Sequence, residues 1–358
     1  MRRCGYWLVN NMGFNIKDVA SLAGVSPSTV SRVVANHPRI SEETRERVRA
    51  AMKELDYHPN AIARSLVKKT SETIGLLIPN PIDQFFLNPF FTECLRGITS
   101  VTEQEGYDVL LSTSNGTGFT DEMRLQHMIG SKRVDGIILL NSKMHDPLIS
   151  ILEENHVPCV LIGRPSTTTS ISWVNNDNVK AAYDATKHLI EHGHTRIGFL
   201  SGSQELVVSV DRLSGYHAAL RDRNLPFDPN LIVTAEFLEQ GGYSGMMRLL
   251  ALPDRPTAIV ASDDVLAFGA MRAAGELGYH IPDDLAIIGF NDMHLAKMAN
   301  PPMTSMNVHI DELGKVAAEM LLDQITKANR GKRTVIIQHN LVIRRSCGSQ
   351  IQPTYEAF

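Results

Sequence analysis

Residues 14–66 read FNIKDVASLAGVSPSTVSRVVANHPRISEETRERVRAAMKELDYHPNAIARSL. The stretch predicts three short helices and a small fourth. Asn15 can cap the first, which ends near Gly24. Ser26 caps the second, with Pro27 at its first position, where a missing N–H costs nothing. Only about four residues separate the two helices, the spacing of a helix-turn-helix whose second helix lies in a DNA major groove. The polar positions of that helix, Ser28, Thr29, Ser31 and Arg32, together with the Ser26 cap, form the expected DNA face. Hydroxyls bond base edges or phosphates, and an arginine takes guanine O6 and N7 bidentately. Val30, Val33 and Val34 are expected to meet Val19, Ala20 and Leu22 in a small core. A third helix starts at the Ser41 cap, with Glu42 and Glu43 at its positive end. Val48, Ala51, Met52 and Leu55 give it an apolar stripe at helical spacing.

Residues 57–66, YHPNAIARSL, predict a short slim helix begun by Pro59 and ended by a bare Leu66. Such a helix suits the minor groove, where an apolar wedge unstacks a base step. It is too short to be stable alone, so it is expected to fold on DNA beside a second copy.

The run TVSRVVANHPRISEETRERVRAAMKELDYHPNAIARSL resembles the DNA-binding headpiece and hinge helix of the LacI/GalR family of bacterial transcription regulators. The resemblance extends from about Phe14 to Cys347. It implies a headpiece over 14–58, a hinge and linker over 59–71, and an effector-binding and dimerisation domain over 72–347. Asn60, Ala63 and Leu66 are then the hinge residues expected at DNA.

The net charge of −4 hides an asymmetry. From Phe14 to Lys69 there are ten Lys/Arg and six Asp/Glu, and Arg2 and Arg3 precede them, which leaves the remainder at −10. A basic end on an acidic body fits a protein that meets nucleic acid at one end only. Hydrophobic content of 43% and charged content of 21% are those of an ordinary globular protein. Cys4, Cys94, Cys159 and Cys347 are scattered and form no Cys-x-x-Cys pair, so reduced thiols of a cytoplasmic protein are expected. No apolar run reaches the ~18 residues of a membrane span. Met1 to Gly13 lacks the apolar core and cleavage site of a signal peptide. It is expected to be a disordered extension, with Met12 at the place where family members usually begin.

Beyond Ser71 strands and helices alternate. Strands are expected at 73–79, 107–112, 136–140, 159–163, 196–200, 231–234, 258–261 and 285–289. Helices are expected between them, among them Asn88–Glu105, Asp211–Arg223 and Val265–Leu277. This is the pattern of doubly wound parallel sheets in an α/β fold. Two such units in tandem resemble the type I periplasmic sugar-binding architecture. The resemblance implies an N-subdomain of about 72–172 and 304–331 and a C-subdomain of about 173–303 and 332–347.

Ligands of open α/β sheets sit at the carboxyl ends of strands, here between the lobes. Arg212, Asp263 and Asn291 are the residues onto which the resemblance maps effector contacts. An arginine, a carboxylate and an amide together bond vicinal hydroxyls. Asp264 and Asp292 are as well suited to capping a helix or holding the lobe. The aromatic stretch Phe85-Phe86-Leu87-Asn88-Pro89-Phe90-Phe91 and the segment Ile162-Gly163-Arg164-Pro165 are most similar to the family's maltose-operon repressors. Phe85, Phe86, Asn88, Arg164 and Trp173 therefore join the expected effector residues, with core packing the competing role for the rings and Phe91 expected to face the sheet.

His188 and His192, four apart on a helix, have a spacing that can hold zinc. The order is not His-Glu-x-x-His, and no metal or cofactor is expected. No Ser-His-Asp set, Gly-x-Ser-x-Gly or phosphate loop is present. Asp263 and Asp264 point apart at a strand end and do not form a catalytic pair. The residues therefore predict no enzyme. The resemblance implies a homodimeric repressor of operator DNA, controlled by a small sugar effector, maltose or a related α-glucoside, acting as inducer. Residues 348–358 carry no leucine heptads, which favours a dimer over a coiled-coil tetramer. A family regulator answering to a phosphorylated carrier protein or a purine corepressor is the alternative; a sugar-binding protein without regulatory role is the alternative of another class.

Overall fold

A computed structural model describes residues 14–57, 70–81, 86–114, 118–140, 142–327 and 331–349. The expectations for the leader, for Asn60, Ala63 and Leu66 of the hinge, and for Phe85 lie outside the described residues. The chain forms two compact units, one ending at Glu72 and the other starting at Thr73.

In the first unit three helices, Ile16–Ala23, Pro27–Val34 and Glu42–Glu54, surround a small apolar core. Each has a side-chain cap. Asn15 accepts from Lys17 N–H while Asp18 reaches back to Asn15 N–H, a reciprocal pair that satisfies otherwise orphaned donors. Gly24 ends the first helix at φ 65°, a left-handed conformation open to glycine without penalty. Val19, Ala20, Ala23, Val30, Val33, Val48 and Ala51 are buried. Leu22 is not in the core as expected; it is 46% exposed. With residues 16, 19, 20 and 23 forming the inner stripe, position 22 falls outside that stripe.

The second unit contains two six-stranded sheets. Strands β1 to β4 are Thr73–Pro81, Asp108–Ser114, Gly136–Leu140 and Cys159–Ile162. Strands β5 to β8 are Ser172–Asn176, Ile197–Ser201, Ile232–Thr234 and Ala258–Ala261. Strands β9 to β12 are Ala286–Asn291, Thr304–Asn307, Thr334–Ile337 and Asn340–Val342. The sheet orders are β11-β5-β4-β3-β1-β2 and β12-β10-β9-β8-β6-β7. All pairings are parallel except β10 with β12. The central strands β3, β4, β6, β8 and β9 are buried along their whole length, as strands covered on both faces must be.

The implied subdomain boundaries need correction. Ser172–Asn176 pairs with β4 and so belongs to the first lobe, whereas Thr304–Asn307 pairs with β9 and belongs to the second. Thr334–Ile337 pairs with β5, back in the first lobe. The chain therefore crosses after 176, after 307 and between 337 and 340. Asn176 gathers the three crossings: its buried Nδ2 donates to Val308 O at 2.9 Å and to Ile337 O at 3.1 Å. The crossings lie at strand ends, where backbone groups that leave one sheet need a new partner.

Candidate functional site

On the first unit the Pro27–Val34 helix turns its valines inward and its polar residues outward. Ser28 and Arg32 are exposed, and Thr29 and Ser31 are half-buried. Ser26 Oγ accepts from Thr29 N–H at 3.2 Å and lies 2.8 Å from Ser28 Oγ and 2.9 Å from Thr29 Oγ1. The helix start thus offers hydroxyls beside a positive dipole end, with a guanidinium one turn further on.

Arg45 was not singled out from the sequence. It is buried and donates to Ile40 O at 3.2 Å, His37 O at 2.7 Å and the Asn36 side chain. It ties the 36–40 loop to the third helix. The usable signal was spacing: 45, 48, 52 and 55 form one stripe, so Arg45 lies in line with apolar residues.

In the second unit a cavity of about 330 Å³ lies between the lobes. Asn88, Phe90, Phe91, Ser142, Arg164, Asp211, Arg212, Phe237, Asp263 and Asn291 are among its walls. Arg212, one of the expected contacts, sits in the Val207–Asp222 helix, which starts four residues before the expected Asp211. It is buried, with its guanidinium 3.9 Å from the centroid of the Phe290 ring. It donates to Asn178 Oδ1 at 2.9 Å, to Asn291 Oδ1 at 3.3 Å and to Ser262 O. Burial pushes its pKa down to about 10, opposed by the carboxylates of Asp263, Asp264 and Asp211, so it stays charged at neutral pH.

Asp263 caps the Asp264–Glu276 helix by accepting from Val265 N–H at 2.7 Å. Its other oxygen accepts from Asn291 Nδ2 at 2.9 Å and Asn88 Nδ2 at 3.3 Å. Burial pushes its carboxyl up to about 6, against the pull of these bonds and of Arg212. Asn291 stands at φ 105°, a region that non-glycine residues rarely enter. Its amide joins Arg212 to Asp263. Asp264 points away and accepts from Ser305 Oγ at 2.6 Å and Met293 N–H at 2.7 Å, which holds the lobe together.

From the first lobe, Asn88 caps the Pro89–Gln104 helix and reaches across to Asp263 and to Phe237 O. Arg164 grips Asp211 with two nitrogens, one at 2.7 Å. The aromatic wall differs from expectation. Phe90 and Phe91, edge to face at 5.5 Å, line the cavity, whereas Phe86 is 63% exposed and does not. The helix begun by Pro89 turns residues 90 and 91 inward and leaves 86 before its cap. Trp173 is also displaced from its expected place. It lies within β5 and packs with the cluster that includes Leu77, Leu125 and Leu161, away from the cavity. Ser142 is a wall residue that sequence reasoning missed; its buried hydroxyl has no hydrogen-bond partner among the described residues.

His188 and His192 both bond Ser349 Oγ, at 2.9 and 3.0 Å. No group of three or more His, Cys, Asp or Glu is arranged for a metal among the described residues. Cys94, Cys159 and Cys347 are buried free thiols. No helix of the described residues is long and apolar enough to cross a membrane.

Comparison with known proteins covers nearly the whole chain. Residues 15–60 match the profile of bacterial regulatory proteins of the lacI family, and residues 186–347 match a periplasmic binding protein-like domain. The chain is 39% identical over 343 residues to the HTH-type transcriptional regulator MalR of Streptococcus pneumoniae, covering 92% of this chain and 99% of that one. Among solved structures it is similar to a CelR–cellobiose complex, with 33% identity, a TM-score of 0.72 and coverage of 93% and 99%. It is also similar to the lac repressor dimer bound to operator and the anti-inducer ONPF, with 28% identity, a TM-score of 0.82 and coverage of 93% and 99%.

Proposed function

The chain belongs to the lacI family of bacterial transcription regulators, which are not enzymes, and on that premise we propose that it is a cytoplasmic homodimeric repressor released from its operator by a neutral sugar, maltose or a related α-glucoside. Two recognition helices, with Ser26, Ser28, Thr29, Ser31 and Arg32, read successive major grooves. Two hinge segments meet in the minor groove, where Leu66 wedges a central step and Asn60 and Ala63 lie alongside. The effector changes the angle between the lobes, and the first lobe follows the hinge directly in the chain. Coupling between the two sites is then reciprocal: operator weakens sugar as much as sugar weakens operator.

One observation carries the ligand class. Each basic side chain lining the cavity faces an acid: Arg164 pairs with Asp211, Lys143 lies 3.4 Å from Asp121, which it shares with Arg124, and buried Arg212 sits among the neighbouring carboxylates. A phosphate or carboxylate entering here would meet spent cations and further acids, Glu205 and Glu236. A polyhydroxyl ligand both donates and accepts, and so serves carboxylates and guanidinium alike. The rings of Phe90 and Phe91 suit the apolar face of a pyranose. Maltose in particular is supported by similarity to a solved structure of a probable maltose operon transcriptional repressor, 28% identical with a TM-score of 0.70.

The test is fluorescence anisotropy on a palindromic operator at fixed salt, titrated with maltose, other α-glucosides, a sugar phosphate and a purine. Release by maltose or an α-glucoside is expected. Tight operator binding that only the sugar phosphate, the purine or an added phosphoprotein alters would overturn the sugar reading and leave the regulator intact.

A further inference from the structure

The two lobes are joined at one flank of the cleft by bonds between protein atoms alone. Residues 142–144 of the first lobe and 205–207 of the second run antiparallel. Met144 N–H donates to Glu205 O at 2.7 Å and Val207 N–H donates to Ser142 O at 3.0 Å, with Lys143 opposite Leu206. This two-bond strap crosses from lobe to lobe and includes no bond to a sheet.

The Arg164–Asp211 pair sits on the same two supports. In the first lobe β3 and β4 are neighbours with Leu140 opposite Ile162, so Ser142 and Arg164 each stand two residues beyond that pair. Gly163 lets the two loops pass closely: at φ 118°, an added Cβ there would be 3.2 Å from Ser142 Cβ. In the second lobe Val207 begins the helix that carries Asp211 one turn later. A rigid strand pair and one helix therefore hold both the strap and the charge pair, and neither can part far without the other.

Asp211 is buried, and both of its carboxylate oxygens are held by Arg164, from the opposite lobe. A bidentate guanidinium–carboxylate pair is strong and directional. Removing one partner of such a pair costs more than the pair contributes, because a buried charge is stranded. We propose that Arg164 and Asp211 form an interlobe latch that keeps the 142–144/205–207 strap shut, so that the lobes part only when this pair breaks. An effector entering the cleft then competes with the latch for both groups, and its hydroxyls can satisfy each of them.

Hydrogen exchange read by mass spectrometry on the full-length protein, without sugar or operator, tests this. The strap amides of Met144 and Val207 exchange only when the strap opens. Asp211→Asn is expected to speed exchange in peptides spanning 142–146 and 204–208 about tenfold, the loss of a charge-assisted pair, with β3 and β8 unchanged. Arg164→Lys keeps the charge and loses the fork, so an intermediate acceleration is expected. Wild-type exchange of the strap in both variants overturns the latch. So does loosening of the strap that appears only together with loosening of β3 and β8. Neither sugar nor DNA enters the measurement, so its outcome is separate from that of the effector reading.

Discussion

Asp263 is a carboxylate that the fold keeps at a cost. Burial lifts its pKa from the ordinary 3.8 to about 6, while the Val265 N–H, Asn88 and Arg212 hold the charged form. Asp264 and Asp211 add acids nearby. Since the folded pKa lies above the ordinary one, the folded state binds the proton more tightly. This group alone therefore adds stability as pH falls from about 6 toward 4, and that contribution is absent at pH 7. Ligand binding runs the other way, because the neutral acid is a weaker acceptor for ligand hydroxyls than the carboxylate. Sugar affinity measured by calorimetry is expected to fall about fourfold from pH 7.5 to 5.5, the fraction deprotonated at a pKa of about 6. Asp263→Asn should bind weakly at both pH values with no slope, and an unchanged slope in that variant would remove Asp263 from the site. Arg212→Ala is expected to abolish the sugar response of operator binding while leaving operator affinity intact. In the headpiece, Arg45→Met should cost about 2–3 kcal/mol through the loss of three buried bonds. It would appear in calorimetry as an earlier melting of the headpiece with the second unit unaffected. Arg45 was invisible as a charge among charges, and only its place in the stripe of Val48, Met52 and Leu55 sets it apart.

At the scale of elements, short-range chemistry was the most legible. The caps Asn15, Ser26 and Ser41, the Gly24 turn and the Pro27 start are local rules, and the helices stand where those rules put them. Ser26→Ala is expected to cost about 1 kcal/mol of recognition-helix stability. Operator affinity, titrated at constant salt, would fall accordingly while sugar affinity stays the same. Leu66→Ala, in the hinge, is expected to weaken specific operator binding far more than binding to random DNA; equal losses on the two DNAs would rule out a wedge. Elements whose existence depends on distant partners were harder to read. Ser172–Asn176, Thr304–Asn307 and Thr334–Ile337 are short, partly polar runs with no period of their own, and pairing across the sheet fixes them. Trp173 was misplaced for that reason: a strand takes it to the outer face of the first lobe. Phe91 is buried against the sheet as expected and also reaches the cavity, whereas Phe86 was misplaced because the helix starts at Pro89, and a ring just before a cap points elsewhere than one just after it.

At the scale of the molecule, the charge asymmetry separates two kinds of binding. Phosphate contacts release counterions, so operator affinity is expected to fall about a hundredfold or more between 50 and 200 mM salt. A neutral sugar in a charge-compensated cavity releases none, and its affinity should be flat over the same range. Calorimetry across that range checks both, and a steep salt dependence for the effector would point to an ionic ligand instead. The alternation of strands and helices made the doubly wound class readable, and the family resemblance pointed to Arg212, Asp263 and Asn291. The contributions of Asn178, Ser142 and Asp211 come from chain segments far apart in sequence and carry no local mark.

The convergence of three crossings on Asn176 also bears on how this chain can be cut and recombined. Neither lobe is a continuous length of sequence, since each takes strands from both sides of the other. A single protease nick within 177–303 is expected to leave both fragments associated under native conditions, and gel filtration of the nicked protein would show it. A lobe cannot be transplanted through one junction: it needs three joins, each at a strand end. Gene fusion therefore has one clean boundary here, beside Thr73, where the sheet-bearing unit starts. Reading heads and effector modules can be exchanged there as intact pieces.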